Sequence, residues 1–315
     1  MSRRSRPSPA LRRAVRGGAV AAIGAAVAAP LLRRRARLPT AVTVAACAGG
    51  PLGLAVLQPR SRTRDVAMYA LQMWAFTMVH ELPFDDPERL RARLRIRYPI
   101  VADRAIGLGR LPNVRLQRGL ARLSRVRTLN RVLTWAHWLW FLEPYVALAF
   151  ILLRHPARFP AAARRLAAVF DVGCAVYFAV PTAPPWWASE QGHTGGEDVR
   201  RIMIEVGEET WKSAWPGMYS ALGGNPWAAM PSLHFATSVM GAISLSETGR
   251  VPAALGWAYA LTLGFALVYL GEHYVTDLAA GGALVAAVRG GEPLAEPLVE
   301  GVNGALRSLE RLANG

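Results

Sequence analysis

Apolar blocks of membrane-spanning length dominate this chain and limit what it can fold into. Of its 315 residues, 52% are hydrophobic and 18% are charged, and the apolar residues gather into separate blocks. A helix needs about 20 mostly apolar residues to cross a bilayer. Because the blocks approach this length, the sequence predicts an all-α, polytopic membrane protein.

Eight blocks are candidate spans, and they form two groups. The first two are rich in Ala and Gly, which let helices approach closely, and they predict an N-terminal helical hairpin. The other six predict a six-helix core bundle. The first block resembles a signal peptide, but the "RRRAR" that follows it predicts an uncleaved span. In chain order the blocks are 17–32, 40–57, 66–82, 133–153, 166–183, 229–246, 253–270 and 274–288.

These groups predict three domains. A basic segment with the hairpin covers residues 1–65, the six-helix core covers 66–289, and a tail covers 290–315. Within the core, residues 83–132 carry thirteen arginines interleaved with Leu, Ile and Val. This spacing predicts amphipathic helices in the lipid headgroup layer, and a soluble basic face is the alternative. Asp103, in this segment, is expected to pair with Arg104 or a neighbouring arginine.

The net charge of +16 comes almost entirely from arginine, and Lys212 is the only lysine. These arginines flank membrane segments and form no recognised nucleic-acid module, so they predict contact with anionic lipid and no nucleic-acid partner. With a cytoplasmic N-terminus, most arginines of the short loops lie in the cytoplasm. Segments 83–132, 184–228 and 271–273 then face outside, which predicts a multi-pass cell-membrane protein with an extracytoplasmic active face. Two cysteines, Cys47 and Cys174, lie within apolar blocks and predict buried free thiols.

Ionisable groups at the ends of two spans are the candidates for chemistry. His273 precedes Asp277 by four residues, so on a helix beginning near residue 272 the two would share a face. The carboxylate would then fix the imidazole tautomer and leave the other nitrogen as a nucleophile. His234 begins another span on the same side and could act as a general acid. Pro231 and Ser232 before it predict a helix start whose free N–H groups suit a phosphate.

Other interpretations of these residues remain open at this stage. His234, His273 and Asp277 together have the ligand types of a catalytic zinc site, although no H-E-x-x-H pair exists. The remaining histidines are expected to be interfacial residues that satisfy a neighbour: His80, His137, His155 and His193. Tyr274 either lines the pocket or anchors a helix at the membrane interface. The stretch "TAPPWWA" is either a re-entrant corner at the lipid entrance or an ordinary aromatic belt.

Taken together, the motifs carry a resemblance to a known family. "PSLH", followed about forty residues later by "GEHYVTDLAAG", resembles two motifs of the type 2 phosphatidic acid phosphatase superfamily, P-S-G-H and S-R-x5-H-x3-D. The companions "VPTAPPWWA" and "NPWAAMPSLH" resemble the inositol phosphorylceramide synthase-like branch, which also contains P-S-L-H. The similarity covers roughly residues 66–288.

This resemblance implies a mechanism without a metal or organic cofactor. His273 would attack phosphorus to form a phosphohistidine, Asp277 would orient it, and His234 would protonate the leaving oxygen and then deprotonate the acceptor. Two departures from the family pattern matter. Ala266 and Leu267 stand where the family has Ser-Arg, and no K-x6-R-P motif is present. Arg200 and Arg201, with Lys212 behind them, are therefore predicted to neutralise the phosphate, with Ser232 and Tyr274 completing the substrate site.

The resemblance leaves three functions open. The first is a lipid phosphotransferase that moves a phospho-headgroup such as inositol phosphate between lipids, which Leu233 in place of Gly favours. The second is a lipid phosphate phosphatase that hydrolyses phosphatidic acid or polyprenyl phosphates. The third is a non-catalytic, lipid-binding membrane scaffold with a degenerate site. The lipid donor, the acceptor and the oligomeric state are not fixed by these residues.

Overall fold

The computed structural model describes residues 8–222 and 225–314, and helices make up most of them. Within these residues the only strand-like pairings are isolated bridges at Thr182, to Arg95 and to Ala228. The all-α class is therefore confirmed. The helices are α1 (Pro9–Ala36), α2 (Thr40–Leu57), α3 (Arg62–Glu81), α4 (Pro87–Ala92), α5 (Arg97–Ile106), α6 (Pro112–Leu120), α7 (Val126–Leu139), α8 (Glu143–Arg154), α9 (Phe159–Ala179), α10 (Pro185–Glu190), α11 (Ile202–Trp211), α12 (Trp215–Leu222), α13 (Leu233–Ser246), α14 (Arg250–Tyr269) and α15 (Val275–Asn314).

Three of these helices, α1, α2 and α14, are long and apolar enough to cross a membrane. The pair α7 and α8 passes the same test together, although the two helices meet at an angle of 56°. The shorter helix α13 is apolar over only 14 residues. The remaining predicted spans are helical too, but α3 opens with charged residues and α9 carries Arg164, Arg165 and Asp171. Length and composition therefore support a polytopic membrane protein with up to four full spans among the described residues.

Contacts divide the chain into two compact units, one made of Met1–Asp85 with Gly290–Gly315 and the other of Asp86–Arg289. In the first unit α1 packs along α2, as the predicted hairpin requires. The approach is close, because a Cβ on Gly53 would lie 2.6 Å from the carbonyl oxygen of Ala19. α3 packs on α2. The block 66–82 therefore groups with the hairpin, whereas the sequence had placed it in the six-helix core.

The second unit, which we call the core unit, contains α4 to α14 and the beginning of α15. α13 packs against α14, α9 and α8, and α14 packs against α7. A glycine makes the contact between α9 and α13 possible. A Cβ on Gly173 would lie 2.4 Å from a methyl carbon of Leu233, so Leu233 fills the space that Gly173 leaves.

The arginine-rich segment folds into short helices, as predicted, but its buried face packs against protein. Ile100, Leu111 and Val114 join a buried cluster with Val199 and Tyr274. Its arginines also pair with the acidic segment 184–228. Arg104 bonds Glu197 at 3.0 Å, and Arg131 bonds Glu209 at 2.8 Å. The two segments predicted to share one side of the membrane are therefore in direct contact.

Candidate active site

His273 lies in a tight turn between α14 and α15. Gly271 has φ +83°, and a Cβ there would lie 2.4 Å from the carbonyl oxygen of Arg200, so only glycine suits this position. The backbone N–H groups of Glu272 and His273 both donate to the carbonyl of Leu267, at 3.0 and 3.1 Å. The turn therefore closes α14 and presents the His273 side chain, which is only 5% exposed, toward the bundle interior.

Asp277 contacts His273 through the turn. One carboxylate oxygen, Oδ2, lies 3.3 Å from His273 Nδ1 and accepts the N–H of Tyr274 at 2.9 Å. α15 begins only at Val275, so the pair is not formed on one helical face as the sequence predicted. A carboxylate only accepts hydrogen bonds, so the proton of a neutral His273 lies on Nδ1 and the lone pair on Nε2.

His234 meets His273 from a separate helix. It lies in the first turn of α13, and its Nδ1 is 3.4 Å from His273 Nε2. The backbone N–H of Ser232 donates to the Asp277 carbonyl at 2.9 Å, which ties the start of α13 to α15. The structure therefore brings His234, His273 and Asp277 together in one chain of contacts, from segments about 40 residues apart. With the lone pair of His273 on Nε2, a hydrogen bond at this contact requires a proton on His234 Nδ1.

Two buried polar side chains, one from α5 and one from α6, hold the His273 turn. Asp103, fully buried, accepts the N–H groups of Val275 and Thr276 and the Thr276 hydroxyl, each at 2.9 Å. Asn113 donates to the carbonyls of Val268 and His273, at 2.8 and 2.9 Å. Asp103 therefore caps α15 and does not pair with Arg104, because the free N–H groups of a helix start favour a carboxylate.

Gln117 extends the same contacts to the neighbouring loop. Its amide donates to the carbonyls of Arg200 and Tyr269, both at 2.8 Å, and accepts the N–H of Arg200 at 3.0 Å. The sequence contained a signal for this set: Asp103 follows buried Ile100 by three residues, and Gln117 follows buried Val114 by three. A polar residue in the apolar stripe of an amphipathic helix indicates a specific internal partner.

The stretch 181–185 packs in the interior beside the segment that leads into α13. Thr182 exchanges backbone hydrogen bonds with Trp227 and Ala229, at 2.9 and 3.3 Å. The hydroxyl of Tyr177 donates to the Pro231 carbonyl at 2.7 Å. The two companion motifs of the sequence are therefore in contact. Ala183 and the prolines of this stretch are buried, while Trp186 and Trp187 are half-buried.

The predicted phosphate ligands Arg200 and Arg201 are already paired with carboxylates. Arg200 bonds Glu205 at the surface. Arg201 bonds Glu272 at 3.0 Å, donates to the Tyr219 hydroxyl at 2.7 Å and lies 3.8 Å from the Trp186 ring centroid. Burial by itself lowers the pKa of Arg201, but the charge and hydrogen bonds of Glu272 raise it above its usual value. The guanidinium is therefore committed to Glu272, the residue before His273.

Arg201 also lines an open cavity of about 440 Å³, but the chemistry of that cavity does not suit a phosphate. Three carboxylates share it, those of Glu190, Glu205 and Glu208. Like charges repel, so an anionic ligand is disfavoured there. The prediction that Arg200 and Arg201 neutralise the phosphate is thus not supported by their contacts.

Two other predicted substrate residues are placed in structural positions. The hydroxyl of Ser232 accepts the N–H of Phe235 at 3.4 Å and so acts as the N-cap of α13. Tyr274 is fully buried in the cluster with Ile100 and Leu111, and its hydroxyl has no hydrogen-bond partner in the described part of the chain. It is neither exposed at a membrane interface nor open to a ligand. Substrate contacts from either residue remain a prediction.

Two residues that the sequence analysis did not assign to the site lie against His234. The Trp140 ring is 4.1 Å from the His234 ring, and the His137 ring is 5.1 Å from it, both between centroids. His137 is 6% exposed, so it is not the interfacial residue predicted. His137 and Trp140 are three positions apart, and residues at this spacing share a face of a helix, so the sequence could have predicted that the two rings lie together. Cys47 and Cys174 are free and buried, as predicted.

No group of three or more His, Cys, Asp or Glu side chains is arranged to hold a metal ion within residues 8–222 and 225–314. A family model, that of the PAP2 (type 2 phosphatidic acid phosphatase) superfamily, matches residues 102–289, more than half of the chain. The matched stretch contains the His234, His273 and Asp277 contacts. Comparison with curated proteins gave no match, and comparison with solved structures gave none.

Proposed function

The chain belongs to the PAP2 superfamily, and we propose that it is a membrane enzyme that transfers the phosphoryl group of a lipid through a phosphohistidine at His273. Membership supports a lipid phosphatase or phosphotransferase activity in general. The single observation that carries the finer proposal is the chain of contacts from Asp277 to His273 to His234. It joins an orienting carboxylate, a nucleophilic nitrogen and a second imidazole in the order that phosphoryl transfer requires.

In the first step the lone pair on His273 Nε2 attacks phosphorus and the bond from phosphorus to the leaving oxygen breaks. His234, as an imidazolium, gives its Nδ1 proton to that oxygen and becomes neutral. The phosphorylated His273 keeps its Nδ1 proton toward Asp277, whose negative charge stabilises the positive ring. In the structure His273 Nε2 and His234 Nδ1 are 3.4 Å apart, so the two rings must separate to admit the phosphoryl group and its leaving oxygen.

In the second step neutral His234 removes a proton from the acceptor, whose oxygen attacks phosphorus while the bond to His273 Nε2 breaks. Water as acceptor gives hydrolysis, and an alcohol gives transfer. His234 is only partly buried, whereas His273 and Asp277 are buried. Both the leaving group and the acceptor therefore reach the site from the side of His234. The first turn of α13 adds a helix N-terminus, which favours an anion.

We favour transfer to an alcohol such as inositol over hydrolysis, because Leu233 replaces the glycine of P-S-G-H, as in the inositol phosphorylceramide synthase-like branch. Leu233 is buried against Gly173, so this residue belongs to the packing of α13 on α9. Hydrolysis of phosphatidic acid or polyprenyl phosphates is the second candidate. We further propose that the reaction needs no metal and occurs at the extracytoplasmic face.

Product analysis tests this proposal. The purified protein is incubated with a mixed phospholipid extract, with and without inositol, and products are measured by mass spectrometry. With inositol present we expect inositol phosphate and the dephosphorylated lipid, because the phosphoryl group passes from His273 to an inositol hydroxyl, at a rate unchanged by a strong chelator. Free phosphate alone would favour the phosphatase, and inhibition by the chelator would favour a zinc enzyme. The absence of any product or covalent phosphoenzyme would favour the scaffold.

A further inference from the structure

His137 is a third imidazole beside the two histidines of the proposed mechanism. It lies on α7, its ring is 5.1 Å from the His234 ring with an angle of 39° between the planes, and it is only 6% exposed. Its Nδ1 is buried and has no hydrogen-bond partner in the described part of the chain. Nothing in the mechanism above uses this residue.

An unpartnered nitrogen at this place needs a physical reason. Burying a polar atom without a hydrogen bond is unfavourable, and such atoms in native structures often mark a ligand or a functional site. His137 shares the end of the bundle that holds the candidate site, because Glu272, His273 and Arg201 all act on it electrostatically. Trp140, the residue that follows the end of α7, is held by a hydrogen bond from its Nε1 to Thr237 at 2.9 Å. Two rings at this end of α7 therefore lie against His234, and of these two it is the His137 ring that has an unused polar atom.

The proposed mechanism also needs a hydrogen-bond donor for the phosphoryl oxygens, and His137 can supply one. A phosphoryl group in a buried site needs hydrogen-bond donors for its non-bridging oxygens. The motif positions 266 and 267 are Ala and Leu, both fully buried, and Arg200 and Arg201 are bonded to carboxylates. An imidazole carries at least one N–H in either charge state, so His137 can donate whether neutral or protonated.

We propose that His137 is a phosphate-binding residue, whose ring N–H donates a hydrogen bond to a non-bridging oxygen of the phosphoryl group held between His234 and His273. This assignment rests on the proposed function and adds a third imidazole to its site. The donor belongs to α7, so the fourth predicted span contributes directly to substrate binding. Because His137 also touches the His234 ring, the alternative role is packing alone.

Two substitutions separate hydrogen bonding from packing. His137→Phe keeps a flat ring of similar size and removes the donor, whereas His137→Gln keeps a donor and removes the ring. The probe is inorganic phosphate, measured as an inhibitor of turnover on a lipid phosphate in mixed micelles. His155→Phe is the matched control, because the His155 ring lies near Phe150, at 5.9 Å, after α8.

We expect His137→Phe to raise the inhibition constant of phosphate by about tenfold or more, the effect of losing one hydrogen bond to a charged group. His137→Gln should raise it less, and His155→Phe should leave it unchanged. A wild-type inhibition constant in His137→Phe would overturn the proposal. A larger rise in the inhibition constant in His137→Gln than in His137→Phe would overturn it too. If only His137→Gln folds, its loss of phosphate inhibition would also overturn the proposal. A wild-type protein without turnover of lipid phosphates would instead refute the proposed function.

Discussion

The two candidate histidines are held in different ways. His273 lies in a turn that buried hydrogen bonds fix from several sides: Asp277 at its ring, Asn113 at its carbonyl and Asp103 at the following helix start. His234 is partly exposed, and rings surround it, those of Trp140, His137 and His273. His273 is thus enclosed by buried groups, whereas His234, the more exposed of the two rings, is the one that an incoming substrate meets first.

The largest effect is expected from removing His273, the proposed nucleophile. His273→Ala should lower kcat by at least about 10⁴-fold, because no other group can form the covalent intermediate. Turnover of a lipid phosphate measures this, with circular dichroism to verify folding. His155→Ala is the matched control and should retain wild-type kcat. Full activity of His273→Ala would show that His273 is not the nucleophile.

The second-largest effect is expected at His234, and it should depend on the leaving group. His234→Gln removes the proton donor and should lower kcat by about 10²–10⁴-fold on an alkyl phosphate ester. The loss in the first step should be much smaller with a nitrophenyl phosphate ester, because that leaving oxygen needs no proton. Burst-phase release of nitrophenol measures this step. Equal losses on both esters would show that His234 is not the general acid.

Substitutions in the Arg201–Glu272 salt bridge test whether this pair stabilises the turn that holds His273. Arg201→Gln leaves the largely buried carboxylate of Glu272 without its partner, which should cost about 3–5 kcal/mol of stability. The melting temperature should fall, and kcat with it. The double variant with Glu272→Gln should recover much of the stability, since no uncompensated charge remains. A double variant as unstable as Arg201→Gln would contradict this role of the pair.

Asp103→Asn should have a moderate effect. The amide retains one acceptor but presents N–H groups where Asp103 accepts three hydrogen bonds, so we expect a loss of about 2 kcal/mol in stability. A merely structural role would leave the kinetics of folded protein unchanged. We expect kcat to fall with KM nearly constant, because the His273 turn loses alignment. Asp86→Asn, at the cap of α4, is the control. An unchanged kcat would limit Asp103 to stability.

The smallest effect is expected at Arg200, the neighbour of Arg201. Its salt bridge with Glu205 is about half exposed, and exposed pairs contribute about 0–1 kcal/mol. Arg200→Gln should therefore change kcat and KM by less than about twofold. Steady-state kinetics beside Arg201→Gln give the comparison directly. A large rise in KM would restore Arg200 as a phosphate ligand.

The sequence predicted the helical class, the hairpin and the meeting of His234, His273 and Asp277, because these depend on apolar block length and on motif spacing. It did not predict the partners of buried polar groups. Asp103 was expected to pair with Arg104 or a neighbouring arginine, but the start of α15 supplies the N–H donors that it accepts. The burial of His137 and the carboxylate partners of Arg200 and Arg201 could not be predicted for the same reason, because both depend on the assembled bundle. Phosphate binding by Arg200 and Arg201 stays a prediction.

The most direct measurement is to locate the phosphate on the protein. Wild-type protein is quenched in alkali during turnover of a labelled lipid phosphate, digested and mapped by mass spectrometry. The account predicts a phosphate on His273 that is lost on acid treatment and accumulates when the second step is slowed. Phosphate on a different residue, or continued turnover by His273→Ala without any covalent intermediate, would contradict it.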